Sequence, residues 1–272
     1  MALRITNNIQ SLNAQRHINK SQKGLTIALE RLSSGLRINK SGDDAAGLAI
    51  SEKLRSNIRA LHQASRNGSD GIALLQVAEG SMEELQNMVV RMKELAEQAA
   101  TGTVGDVERG YLNSEYQALR SEINRIANGT KFNETFLLDG TLDVKIQIGV
   151  SDGANDSITI TVSTVTATAL GLTTSISTVT NAISALGTTT TAIGTIADRR
   201  AELGALQNRL ESVVANIETI VENLTGAESR IRDVDIASET ANLTKYSILV
   251  QAGVSVLTQA NQAPQVALTL LQ

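Results

Sequence analysis

The chain has 272 residues, of which 42% are hydrophobic but only 2% aromatic, with a formal net charge of −4, one proline and no cysteine. The lack of cysteine excludes disulfides, thiolate nucleophiles and cysteine-based metal sites. The negative charge gives non-specific nucleic-acid binding no electrostatic support. An apolar content carried by Leu, Ile, Val and Ala is typical of helix–helix seams, and the near absence of proline permits long helices.

The first segment, residues 1–36, predicts an amphipathic helix. Its apolar residues recur at three- and four-residue steps, which is the period of one helical stripe. The stripe consists of Ile5, Ile9, Leu12, Leu25, Leu29 and Leu32. A linker at residues 37–43 follows, and Asp43 and Asp44 have side-chain oxygens that suit the start of the next helix.

The middle of the chain predicts three long helices and one β-hairpin. Apolar residues keep a three–four rhythm over 44–100, 106–128 and 178–230. Between the second and third helices, residues 143–163 change to strict alternation around a polar turn, which predicts a β-hairpin. The Thr- and Ser-rich stretch 163–180 is compatible with an edge strand, a loop or a helix entry.

The last segment, residues 237–272, mirrors the first. Its apolar stripe consists of Val250, Val254, Leu257, Leu268 and Leu271. Neither end segment can bury its stripe alone, so each must pack against the other end or against another copy of the chain. Such a chain is more typical of an assembly subunit than of an enzyme.

The predicted fold is mainly α. It comprises a long-helix coiled-coil bundle with a small β-hairpin (residues 44–231), and a discontinuous two-helix coiled coil formed by the N- and C-terminal segments (residues 1–36 and 237–272). The linkers 37–43 and 232–236 join the two parts.

No constellation of catalytic, cofactor-binding or metal-ligating residues emerges. The two histidines, His17 and His62, fall far apart on predicted helix surfaces, whereas a zinc site or a catalytic triad needs converging ligands. Asp43, Asp44 and the 233–235 stretch could bind a cation, but helix-start acids and linker residues are the simpler interpretation. No stretch approaches the roughly 20 apolar residues of a membrane span, and the N-terminus is too polar for a signal-peptide core.

Several long motifs, in the right order, resemble bacterial flagellin. They are ITNNIQSLNA (5–14), LERLSSGLRIN (29–39), DDAAGLAI (43–50), LGALQNRL (203–210), SRIRDVD (229–235) and QAGVSVLTQANQ (251–262). The similarity covers roughly residues 1–163 and 178–272. Only about fifteen residues separate the hairpin from the last long helix, where many flagellins insert outer domains, so the chain resembles a minimal flagellin.

The resemblance implies a non-enzymatic structural subunit without cofactors. Such a subunit is exported without a cleaved signal peptide and polymerises with itself into the extracellular helical filament that drives swimming. The terminal helices would line the inner core. The implied partners are a flagellar export chaperone at the C-terminal segment, the type III flagellar export apparatus, and the hook-associated and cap proteins, with no nucleic acid and no membrane.

The resemblance also implies a surface for the vertebrate Toll-like receptor 5. The matching positions are Arg91, Leu95 and Glu115. Arg and Leu are frequent interface anchors. The alternative is that Leu95 packs inside the bundle and the charges make filament contacts.

Three other functions compete with a filament subunit. A hook–filament junction protein shares the terminal motifs but would form a short ring-like layer. A filament-borne enzyme would need a catalytic insert, for which residues 163–178 leave no room. A secreted adhesin or effector with coiled-coil ends would give stable monomers or small oligomers.

Overall fold

The computed structural model describes residues 7–269, and the side chains of all of these except residues 154 and 263–269. The helices are α1 (Ile9–Ser34), α2 (Ala45–Ala100), α3 (Asp106–Gly129), α4 (Val179–Arg232) and α5 (Ile236–Thr269). The strands are β1 (Lys131–Phe132), β2 (Thr135–Phe136), β3 (Asp143–Gln147) and β4 (Ser157–Thr161), with a 3₁₀ turn at Ala154–Asp156. The prediction of a mainly α fold with a small hairpin is confirmed.

The chain divides into two compact units. One comprises Met1–Ser56 and Asn223–Gln272, and the other comprises Asn57–Glu222. We call them the terminal unit and the central unit. The divisions fall inside α2 and α4, so the terminal unit extends further along the chain than the predicted end segments. The reason is that the two linkers pair with each other. The Arg37 amide donates to the carbonyl oxygen of Arg232, and the Val234 amide donates to the carbonyl oxygen of Gly35.

The core of the central unit is aliphatic and follows a heptad-like spacing. Buried residues on α2 recur at alternating steps of three and four residues, as in a coiled-coil seam. They are Leu75, Ala78, Met82, Leu85, Val89, Met92, Ala96 and Ala99. On α4 the same rhythm places Ala182, Ala185, Thr189, Ala192 and Ile196 inside.

Helices α2 and α4 run antiparallel within the central unit. The backbone at Gly68 lies against Val214, and that at Gly71 lies against Leu210. Further along α2, the Arg200 guanidinium donates to Gln86 Oε1 at 2.8 Å and lies 3.5 Å from Glu79 Oε1. Residue numbers therefore rise on one helix as they fall on the other.

The β3–β4 hairpin covers one part of this core. Its strands pair antiparallel, with Val144 opposite Ile160 and Ile146 opposite Ile158. Ile158 and Ile160 are buried, whereas the intervening Thr159 is exposed. This is the alternation expected of a strand with one face on the core.

The stretch after the hairpin is a loop, one of the three alternatives left open by its composition. Side chains of α3 fix it through the loop backbone. Asn124 Oδ1 accepts from the Ala167 amide and Asn113 Oδ1 accepts from the Ile176 amide, both at 2.9 Å, and Arg120 donates to the Thr173 carbonyl oxygen. The loop residues Val165, Leu170, Leu172 and Ile176 are buried in the core.

A buried arginine closes the connection from α2 to α3. Arg109 is 2% exposed. Its guanidinium donates to the carbonyl oxygens of Ala99, Thr101 and Val104 at 2.9, 3.4 and 2.9 Å. It also pairs with Asp106 Oδ1 at 3.1 Å. These bonds give a donor to the Ala99 carbonyl oxygen in the last turn of α2 and to two carbonyl oxygens of the loop that follows.

We expect Arg109→Ala to lower the free energy of unfolding by about 2–4 kcal/mol, because buried carbonyl oxygens lose their donors. Urea denaturation followed by circular dichroism measures the change. Arg66→Ala is the matched control, because this exposed arginine bonds to Gln63 on its own helix. A loss for Arg109→Ala no larger than for the control would contradict the proposed role.

Candidate assembly surface

Helices α1 and α5, from opposite ends of the chain, form an antiparallel pair. Their contacts join Asn8 with Ala260, Ile18 with Gly253, Gly24 with Tyr246, and Arg31 with Glu239. At one end of the pair, the Asn8 amide group donates to the Ala260 carbonyl oxygen at 2.8 Å. At the other end, the Arg31 guanidinium lies 3.8 Å from the Glu239 carboxylate.

The centre of this pair consists of small residues that sequence reasoning did not identify. Ala14, Ala28 and Ala260 are buried along it. A methyl group at Gly24 would lie 2.6 Å from the Tyr246 ring, and one at Gly253 would lie 2.7 Å from Ile18. Each helix therefore uses a glycine to receive a large side chain of the other. A heptad count could have found the α5 positions, since Glu239, Tyr246, Gly253 and Ala260 recur every seven residues.

The predicted stripe residues divide into two groups. Leu25, Leu32, Val250 and Leu257 are half-buried. Ile9, Leu12, Leu29 and Val254 are each more than half exposed. Ile5, Leu271 and the side chain of Leu268 lie outside the described residues.

Further apolar side chains on α5 are exposed. They are Ile236, Ile248, Leu249 and Val256. A groove of about 520 Å³ between the helices includes Leu249 and Val256, with His17, Lys20 and Lys245 also lining it. The two helices thus bury the side chains on the face where they meet, and a second set of apolar side chains stays in contact with water.

Carboxylates at the linkers act as caps. Asp44 Oδ1 accepts from the Gly47 amide at 2.9 Å, and Asp235 Oδ1 accepts from the Ala237 amide at 2.9 Å. Asp43 accepts from the Lys40 and Asn39 amides, and these hydrogen bonds lower the pKa of its carboxyl. The hydrogen bond to Glu30 raises the pKa of Lys40. Within the described part of the chain, no group of side chains could hold a metal ion.

Comparison with known proteins identifies the family. The bacterial flagellin N-terminal helical region matches residues 5–143, and the bacterial flagellin C-terminal helical region matches residues 186–271. The chain belongs to the bacterial flagellin family. This is a family of structural filament proteins and not of enzymes.

Individual flagellins match nearly end to end. The chain is 45% identical to a flagellin of Halalkalibacterium halodurans, over 98% of this chain and 99% of that protein. It is 40% identical to a flagellar filament core protein of Brachyspira hyodysenteriae, with the same coverage. The crystal structure of Bacillus cereus flagellin superposes with a TM-score of 0.51 and 33% identity, covering 56% of this chain and 88% of that one.

The three residues matched to the receptor surface of flagellins do not share one environment. Arg91 and Glu115 are exposed and bonded to each other, with Arg91 Nε donating to Glu115 Oε1 at 3.0 Å. Hydrogen bonds to Glu94 and then to Glu115 raise the pKa of Arg91. Leu95 is 1% exposed and belongs to the core. In the single chain the Leu95 side chain therefore packs in the bundle, which is the alternative that the sequence left open, because its position continues the buried face of α2.

The two histidines lie on helix surfaces. His17 and His62 are both exposed, on α1 and α2 respectively. Among residues 7–269, no helix combines the length and the apolar content needed to cross a bilayer.

We expect Gly24→Ala to destabilise the α1–α5 pair by about 1–3 kcal/mol, because the added methyl overpacks against the Tyr246 ring. Hydrogen exchange of the α1 and α5 amides measures this change, and exchange of the α4 amides measures the change in the control. Gly187→Ala on α4 is the control, since its methyl would meet nothing within 4 Å. Replacing this glycine inside the helix should stabilise α4 by about 0.5–1 kcal/mol. If both substitutions stabilised the protein, or both destabilised it, the close approach of Gly24 to the Tyr246 ring would be disproved.

Proposed function

We propose that this chain is the structural subunit of a bacterial flagellar filament, an extracellular helical polymer for swimming. The observation that carries the proposal is the set of apolar side chains on the outside of the α1–α5 pair. Ile9, Leu12, Leu29 and Val254 are more than half exposed although each lies on a long ordered helix. Exposed apolar side chains that recur along both helices of a pair are expected where the pair binds another protein.

A second copy of the chain is the partner that the family supports. The two helices differ in sequence, so the face that α1 presents is not equivalent to the face that α5 presents. Contact between non-equivalent faces of identical subunits propagates as a helical polymer when the rotation between neighbouring copies does not close into a ring. Residues 1–36 and 237–272 would form the inner layer of this polymer, and residues 44–231 the layer outside it, with linkers at 37–43 and 232–236.

Seeded polymerisation tests the function. The protein is dissociated by acid, neutralised, mixed with filament fragments and viewed by negative-stain electron microscopy. We expect long uniform filaments from the unmodified chain and none from Val254→Asp, because burying an unpaired carboxylate at a subunit contact costs several kcal/mol. Ser255→Asp, the exposed neighbour of Val254, is the control and should polymerise.

Other products would point to other functions. Short layers or closed rings from the unmodified chain would favour a hook–filament junction protein. Persistent monomers or small oligomers would favour an adhesin and overturn the proposal.

We infer further partners from the state of the chain before assembly. The apolar groups of α5, such as Ile248 and Leu249, are exposed in the single chain and need cover until polymerisation buries them. A flagellar export chaperone bound to the C-terminal segment would supply this cover. The subunit would leave the cell through the type III flagellar export apparatus, without a cleaved signal peptide, and add between the hook-associated and cap proteins.

We also propose that the monomer engages the vertebrate Toll-like receptor 5 through Arg91 and Glu115. The ion pair between these side chains holds a half-exposed guanidinium at the surface, and Leu95 supports α2 from beneath. We expect Arg91→Ala to raise the half-maximal concentration for receptor activation in reporter cells at least tenfold. Arg66→Ala, also on the exposed face of α2, should leave it unchanged. If both variants activated the receptor at the same half-maximal concentration, the assignment of Arg91 to the receptor surface would be wrong.

A further inference from the structure

A groove on the surface of the α1–α5 pair has polar side chains of one kind only. It encloses about 520 Å³, and both helices line it. The polar side chains that line it are His17, Lys20, Ser21, Lys245 and Tyr246, each of which can donate a hydrogen bond. Among the described residues, no carboxylate and no side-chain amide lines this groove. The groove therefore suits a ligand that accepts hydrogen bonds and carries negative charge.

The cations of this groove have no counter-ion within the described part of the chain. None of the ion pairs among those residues involves the histidine or either lysine. The sequence explains why, because residues 1–29 and 240–272 contain neither aspartate nor glutamate. The first carboxylates beyond these ranges, Glu30 and Glu239, each pair with another cation. The positive charge of the groove is therefore available to a ligand.

The two lysines come from different helices and lie close together along the pair. Tyr246 packs at Gly24, so Lys245 is level with a point four or five residues from Lys20, about 6–8 Å along the axis at 1.5 Å per residue. Both side chains are exposed, and each ammonium group stands on a flexible four-carbon stem. Their like charges repel each other unless an anion lies between them. One anionic headgroup in the groove can therefore bind both helices at once.

The floor of the groove is apolar. Ile18, Leu249, Ala252 and Val256 line it, and Leu249 and Val256 are 44% and 56% exposed in the single chain. A cleft of roughly 300–1,000 Å³ with mostly apolar walls and a few well-placed polar groups is the usual form of a small-molecule site. An inorganic anion would gain nothing from this floor, whereas a ligand with a hydrocarbon part would remove it from water.

We propose that this groove binds an amphiphilic anion, a hydrocarbon chain of medium length that ends in a carboxylate or a sulfate. The headgroup lies between the ammonium groups of Lys20 and Lys245 and accepts a hydrogen bond from the Ser21 hydroxyl. The hydrocarbon chain covers Leu249 and Val256. The site belongs to the free subunit and does not depend on the proposed filament function.

Isothermal titration calorimetry of the free subunit with decanoate, kept below the concentration at which it forms micelles, tests the site. We expect one decanoate to bind per chain. Lys20→Gln and Lys245→Gln should each weaken binding at least fivefold, because each removes one charge from the headgroup site. Lys23→Gln is the matched control, since Lys23 is an exposed cation on the same helix that does not line the groove. It should bind decanoate as the unmodified chain does.

A second pair of variants tests the apolar floor. Val256→Thr keeps the shape of the side chain but places a hydroxyl under the hydrocarbon, and we expect it to weaken binding at least threefold. Val254→Thr is the control, because Val254 is exposed on the same helix but lies outside the groove. Decanol, which lacks the charge, and inorganic sulfate, which lacks the hydrocarbon, should each bind the unmodified chain at least tenfold more weakly than decanoate.

Three results would overturn the inference. They are binding of many decanoate molecules without a single site, equal losses of affinity for a groove variant and its control, and equal affinity for decanol and decanoate. Each would mean that the chain attracts amphiphiles through its overall charge or its exposed apolar surface and not through this groove. All of the variants change exposed side chains, so circular dichroism should show melting within a few degrees of the unmodified chain.

Discussion

The pairing of the two chain ends is the constraint on which the terminal unit depends. The hydrogen bond from Asn8 to Ala260 spans 252 positions, so the entropy of closing the intervening chain opposes it. Folding of the central unit between the two ends shortens the effective loop to the segments beside Leu36 and Asp233, which themselves form a β-bridge. We expect the aliphatic core of the central unit to form first, the bridge next, and the α1–α5 pair last. Opening of this pair can leave the core of the central unit intact, because the two belong to separate compact units, which suits a surface that must change partners.

The low aromatic content of the chain and the close approach of its helices both follow from the use of small side chains where helices meet. A seam of Ala, Gly and Leu brings helix axes together, and a seam rich in aromatic rings would hold them apart. Tyr246 is the exception in the terminal pair, and the missing side chain of Gly24 makes room for its ring. In the central unit, Arg200 and Arg109 make polar contacts at the margins of the core, whereas the buried heptad positions are almost entirely aliphatic. Specificity in this fold therefore comes from where small residues lie more than from distinctive large ones.

The sequence predicts the helices and the pairing of the two chain ends well, but it predicts poorly which side chains meet between paired helices. The expected helices 44–100, 106–128 and 178–230 agree within two residues with α2, α3 and α4, because a three–four rhythm depends only on the local backbone. The rhythm marks a stripe but does not show what the stripe meets. Ile9 and Val254 fit the period and are exposed, whereas Gly24 and Gly253 have no apolar side chain and occupy the seam. Burial of Arg109 could not be foreseen either, since it depends on carbonyl oxygens that a loop brings together. The function could be predicted from the motifs that identify the family. It could not have been predicted from site chemistry.

The loop between β4 and α4 shows which parts of this fold depend on particular side chains and which parts can change in sequence. Asn113 and Asn124 bind its backbone amides, and Arg120 binds one of its carbonyl oxygens. Main-chain groups are the same in every residue type, so these anchors make no demand on the side chains they hold. Between the anchors, Gly171 is exposed, and a methyl group added there would meet nothing within 4 Å. New sequence inserted at this exposed glycine would leave the three anchors in place as long as Leu170 and Leu172 on either side still reach the core. Evolution could lengthen the subunit at this turn under that one condition.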